Sequence, residues 1–307
     1  MPQTGSVKRH PLSSVILLLA LILAGYIIFT MITLALALFT GTDASSLAAG
    51  DMDTGFLRLM QGLTSVGAFI LPPLFLALAE RKYKLDYFGE YKKHVPVKLI
   101  ILTVAIMYIA APFTEWTIRV NQMLHLPDFL KGVEEWMRQK EDMLGRLTKQ
   151  LLTMHSVPDL LVNLLVIALI PAIGEELLFR GCFQNIFTRI TRNYHWGIFI
   201  TAVLFSAIHF QFFGFFPRML LGVLFGYLFA WSRSIWLAVL AHFLNNGTAV
   251  LGAYLLQKKG KPLDDLDSFT GSSAGTIVFS MIFTFLLLWV FYINSVKKQS
   301  IRQENEL

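Results

Sequence analysis

Cysteine is all but missing. Cys182 stands alone in 307 residues, so the chain can close no disulfide on itself and carries neither a CxxC redox pair nor a cysteine-rich metal knuckle. Charge is scarce as well: Asp, Glu, Lys and Arg make up 15% of the residues, against about 25% in soluble globular domains. Hydrocarbon takes their place, with 55% hydrophobic residues and a mean hydropathy of +0.59. At roughly 20 apolar residues per crossing, this composition supplies on the order of eight membrane spans and excludes a soluble domain. The net charge of +6 does not point to nucleic acid, because no basic tract interleaved with aromatics accompanies it. In a membrane protein such an excess marks the loops held on the cytoplasmic side. No repeat, low-complexity segment or linker divides the chain, so a single integral membrane domain over residues 1–307 is expected.

The first apolar run, residues 12–39, follows Lys8, Arg9 and His10 like a signal peptide. It is far longer than the 7–15 residues or so of a signal h-region and reads as a retained first span. Further runs cover residues 55–79, 97–113, 157–189, 196–212, 218–231, 235–256 and 275–296, so the expected fold class is all-α, a polytopic bundle of about eight transmembrane helices. Between the third and fourth runs, residues 115–155 carry balanced charges, with Phe129, Val133, Trp136, Met137, Met143, Leu144, Leu147 and Leu151 at helical intervals. This is the pattern of an amphipathic segment at the interface or packed over the bundle. Threading eight spans in order puts the basic clusters on one side: the amino terminus, residues 81–98, Arg189 with Arg192, Arg233, and the tail with Lys297, Lys298 and Arg302. The connection holding Asp43, Asp51 and Asp53 falls on the other. Both termini are therefore expected in the cytoplasm, in the cell membrane if the chain is bacterial.

An ionisable group inside a span is costly, and its default reading is function. The fourth run carries Glu175, Glu176 and Arg180, the fifth His209, and the seventh His242 with Asn246. Glu176 and Arg180, four apart, can pair on one helix face. Glu175 points about 100° away and is free to face another helix. His242 and Asn246, also four apart, can share one cavity, and Asn245 is the alternative partner. If the fourth helix runs to a turn near residues 191–194, Glu175 and His209 lie level, roughly 22–24 Å along an antiparallel hairpin. These groups admit two chemistries. In one, Glu175 and His209 activate a water while His242 and Asn246 bind an oxyanion. In the other, Glu175, His209 and His242 ligate zinc. No HExxH is present and no serine or cysteine has an evident base beside it, so a covalent nucleophile is the poorer choice.

These residues resemble the CAAX prenyl protease and bacteriocin-processing family of intramembrane endopeptidases, also called CPBP or ABI. Its motifs EExxxR, FxxxH and HxxxN are matched at Glu175 to Arg180, Phe205 to His209, and His242 to Asn246. Residues 218–226 with Ser234, Ile235 and Trp236 also look like the family's sequence between the last two motifs. The likeness spans about residues 160–248, and residues 157–252 are the expected catalytic core. The resemblance implies that Glu175 and His209 activate the hydrolytic water, that His242 and Asn246 form the oxyanion site, and that Glu176 with Arg180 supports the motif helix. It further implies a protein or peptide substrate, lipidated or membrane-inserted, in contact with the bilayer. No cofactor is expected, with a divalent metal such as zinc as the alternative.

Two other readings use the same residues. A non-proteolytic membrane binding protein, an immunity factor or scaffold, would keep its function after Glu175→Gln. A proton-coupled transporter would move substrate with a pH gradient, although no inverted repeats with broken helices are seen. Other features read as packing: Gly222 and Gly226 as a close helix contact, Cys182 as a small packed residue, and Phe210, Phe212, Phe213, Phe215 and Phe216 as an interfacial belt.

Overall fold

The computed structural model describes residues 9–39, 53–89, 95–263 and 272–305. Asp43, Asp51 and the acidic part of the loop after Lys258 lie outside them. Among the described residues the chain is helical: α1 (Pro11–Phe39), α2 (Thr54–Ala79), α3 (Val97–Gln122), α4 (Lys131–Leu151), α5 (Val157–Thr191), α6 (Tyr194–Ala207), α7 (Phe215–Ser232), α8 (Ile235–Lys258) and α9 (Ala274–Asn305). Seven helices, all except α4 and α6, are long and apolar enough to cross a membrane, and the protein is an integral, multi-pass membrane protein.

The fifth expected span departs from expectation. α6 has 14 residues, about 21 Å at 1.5 Å per residue, and stops at Ala207 although apolar residues continue to Phe213. Beyond it the chain turns, with Phe210 in the left-handed region (φ 53°) and a short 3₁₀ turn at Phe212–Gly214. α3, in contrast, runs nine residues past the expected end at Phe113, because Glu115 and Arg119 pair one turn apart on the same helix. The amphipathic element is correspondingly shorter, with α4 beginning at Lys131. None of its residues is buried, and Phe129 just before it and Val133, Trp136 and Met143 within it are exposed, as suits a helix lying along an interface.

α5 is the axis of the molecule. Ser156 and Asp159 form a capping box at its start, satisfying amides that the first turn leaves unpaired. Two π-helical stretches, Leu164–Leu169 and Leu177–Gln184, interrupt it on either side of Glu175 and Glu176, a kind of irregularity that gathers at functional sites. Pro171 lacks the N–H that would bond the carbonyl of Ile167 four residues back. Asn246 of α8 supplies the replacement, its Nδ2 donating to Ile167 O at 3.1 Å.

Two apolar clusters flank this axis. One joins α1, α2, α5 and α6 through Leu18, Leu76, Phe179, Cys182, Ile186 and Phe205. The other joins α3, α5, α7, α8 and α9 through Ile106, Ala172, Phe225, Leu237, Ala241 and Phe291. Cys182 is wholly buried, the packed residue its sequence position suggests. Glycine lets α6 and α7 meet. A Cβ on Gly222 would lie 3.0 Å from the Ala202 Cβ, and one on Gly226 would lie 2.8 Å from Ile198 Cγ2 and 3.0 Å from Gln184 Oε1. Gly226→Val is expected to cost about 1–3 kcal/mol through overpacking, read as a lowered melting temperature in detergent. An unchanged melting temperature would contradict this close approach.

The segments that carry the basic clusters gather at one end of the bundle. Arg9 Nε meets Glu80 Oε1 at 2.7 Å, Arg189 donates to Arg9 O at 3.1 Å, and Gly89 pairs with Ser234. Glu80 is buried there, accepting from Ser14 and from the Tyr87 hydroxyl. Burial and that hydrogen bond push Tyr87 up to about 12, so it remains a donor. At the opposite end Arg58 of α2 contacts Asp159 at 2.8 Å and donates to Thr153 O at 2.6 Å.

Candidate active site

Glu175 and Glu176 sit midway along α5, and the three motifs converge on them. Arg180 Nε lies 3.0 Å from Glu176 Oε2, with both side chains almost wholly buried, 1% and 0% exposed. The guanidinium also lies over the rings of Phe205 (4.7 Å) and Phe225 (5.4 Å), a cation–π seat between the two apolar clusters. The pair expected from the spacing is thus present. It does more than hold its own helix, because Glu176 Oε1 is 2.9 Å from His242 Nδ1. Spacing along the sequence assigns Glu176 no partner on α8. Helical spacing within α5 carries no information about which residue of a neighbouring helix fills the space between two adjacent carboxylates.

His242 projects from α8, stacked on Phe225 with ring centroids 5.3 Å apart and edge-on to Phe205 at 5.8 Å. Its Nε2 lies 3.8 Å from Glu175 Oε2. His209 arrives from the turn after α6, its Nδ1 2.7 Å from Phe205 O and its Nε2 4.0 Å from Glu175 Oε2. A carbonyl oxygen only accepts, so His209 Nδ1 carries the proton and Nε2 presents a lone pair. The same reasoning gives neutral His242 a proton on Nδ1, toward the Glu176 carboxylate. Phe205 therefore acts twice: its carbonyl sets the tautomer of His209, and its ring packs against His209, His242 and Arg180. Glu175 Oε2 is buried and has no hydrogen-bond partner within the protein. A buried, unpaired carboxylate oxygen facing two imidazole nitrogens across about 4 Å leaves a gap suited to one water.

Asn246 is half-buried, one N–H engaged by Ile167 O and its Oδ1 accepting from Asn245. Glu175, Glu176, Arg180, His209 and His242 thus form one contact cluster, and Asn246 stands one turn along α8 from His242, anchored to the break in α5. As a donor set, two imidazole nitrogens and a carboxylate oxygen suit zinc. Their spacing does not: neighbouring ligands of a tetrahedral zinc lie roughly 3.3 Å apart, and among the described residues no group of three His, Cys, Asp or Glu is placed to hold a metal ion.

Among the sequence motifs, Arg218 carries no mark of a site. It stands in the first turn of α7, its NH2 donating to Gln211 Oε1 at 2.6 Å and its NH1 to Gln211 O at 3.5 Å. Its charge acts on Glu175 and His209 through space. A lone arginine at the edge of an apolar run was the signal. The loop holding Gln211 and His209 is itself clamped: Asn121 of α3 contacts Phe212 O and Phe216 N at 3.0 and 2.9 Å, Phe213 N donates to Glu141 of α4, and Trp136 packs on Phe212. Of the expected aromatic belt, Phe210 and Phe216 are exposed, whereas Phe213 is buried beneath Arg138.

No curated protein and no solved structure matches the chain. Residues 157–248, which hold every motif side chain described above, match the family model of the type II CAAX prenyl endopeptidases, Rce1-like, and it is in this segment that the chain is similar to the CAAX proteases.

Proposed function

We propose that the protein is an intramembrane endopeptidase in which Glu175 activates water to cut a peptide bond of a membrane-associated protein or peptide. The observation that carries this reading is the unpartnered Glu175 Oε2 facing both histidine Nε2 atoms. A water in the gap donates one hydrogen to Glu175 and the other to His209 Nε2. Glu175 takes the proton as the water oxygen bonds to the carbonyl carbon, then returns it to the amide nitrogen as the C–N bond breaks. The second N–H of Asn246 donates to the developing oxyanion, beside the His242 ring that Glu176 holds at Nδ1.

The substrate is a terminus that enters the bilayer, and a prenylated carboxyl terminus is the class carried by the family's description. The end of the bundle with Arg9, Arg189 and Ser234 faces the cytoplasm, as its basic clusters require. Single cysteines at Asp53 and Lys84 are expected to react with an impermeant maleimide from opposite sides, Lys84 from the cytoplasm. Buried Cys182 gives no background. Reaction from one side would overturn this orientation.

The functional test compares peptides and membrane-protein termini in cells carrying wild type or Glu175→Gln at matched levels. A terminus formed only with wild type supports proteolysis. Identical profiles with the wild-type phenotype retained would instead favour a binding or immunity role.

A further inference from the structure

We propose that Arg218 and Gln211 form a subsite that receives a carboxylate of the peptide being cut and thereby selects which bonds reach Glu175; this rests on the endopeptidase reading. The two arginines near the site are held in opposite ways. Arg180 is sealed between two rings and pairs with Glu176, a structural arrangement. Arg218 is half-buried, and its hydrogen-bond partners are the side chain and backbone of a neutral residue, Gln211. Glu141 and Glu175 act on it only through space. Gln211 engages two of the five donors of a guanidinium. The loop wraps the group closely: a Cβ on Gly214 would come 3.2 Å from Arg218 NH2. The result is a preorganised fork held by Gln211 of the loop that also carries the partly exposed His209, and a fork of this kind matches a carboxylate with two parallel hydrogen bonds.

A peptide can bring that carboxylate as its own C-terminus or as an Asp or Glu side chain near the scissile bond. The test uses full-length protein in lipid nanodiscs and a peptide library in which each sequence is present as free acid and as C-terminal amide, with and without an acidic residue. Products are read by mass spectrometry. Wild type is expected to cut peptides with a carboxylate at a fixed spacing from the cleaved bond. Loss of cutting on amidation identifies the terminus, and loss on removing the acidic residue identifies the side chain. Arg218→Gln is expected to raise KM for these peptides about 10- to 100-fold and to abolish the preference. Arg218→Lys restores part of it.

A merely structural arginine would lower the rate for acid and amide peptides alike, and equal cutting of both kinds by wild type overturns the proposal without any variant. Should wild type cut nothing, binding of the same peptides to Glu175→Gln protein decides separately. Preference for the carboxylate, lost on adding Arg218→Gln, upholds the subsite while the peptidase reading falls, and equal binding ends both.

Discussion

Glu175→Gln is expected to lower kcat/KM by about 10²- to 10⁴-fold, the range for loss of a general base, equivalent to about 3–5 kcal/mol of transition-state stabilisation. The fold should be untouched. Glutamine has nearly the same shape, and Glu175 Oε2 makes no hydrogen bond within the protein that an amide would break. Purified wild type and variant, compared by rate on a cleaved peptide and by melting temperature, separate the two effects. A variant that melts normally and retains full rate would remove Glu175 from the chemistry.

Breaking the buried ion pair should have the largest effect on stability. Arg180→Met leaves Glu176 charged and uncompensated with 0% exposure, and a broken buried pair of this kind costs about 3–5 kcal/mol. The contact is ionic more than hydrogen-bonded, since neither Arg180 Nε nor Glu176 Oε2 has an aligned hydrogen-bond partner. The rings of Phe205 and Phe225 supply the rest of the arginine's seat. Removing both charges, Arg180→Met with Glu176→Gln, is expected to recover most of the stability, because no lone charge remains. Activity should not return with it, since Glu176 holds the His242 ring in place through Nδ1. Unfolding and peptide cleavage measured across the four proteins test both statements, and additive losses in stability would contradict the pairing.

Much of this arrangement is legible in the residues. The apolar runs locate the helices within a few positions, and depth counting from the turn at residues 191–194 brings Glu175 level with His209, which the structure places 4.0 Å apart. What escapes is whatever depends on backbone shape or on neighbouring faces. Hydropathy scores Phe210, Phe212 and Phe213 alike in a helix or a turn, so the end of α6 is invisible to it. The contact of Glu176 with His242 depends on the rotation of α8 against α5, which no spacing within one helix encodes. The anchoring of Asn246 by Ile167 follows from the missing N–H of Pro171, a signal present in the sequence but meaningless until the facing helix is known. Arg218 was hidden by its neighbours, because a single charge at the end of an apolar run resembles a span boundary.

The shortness of α6 bears on how water reaches a reaction buried in oil. A helix of about 21 Å beside a hydrocarbon core of about 30 Å leaves a deficit of about 9 Å, which a bilayer meets by thinning locally around the element that falls short. Such thinning is expected beside residues 208–214, the loop that carries His209 and Gln211. It would draw headgroups and their hydration toward the midplane there and shorten the path along which a polar peptide backbone loses its solvent. On the proposed function, lipid thickness is then expected to govern water supply to the reaction, independent of any side chain that performs it.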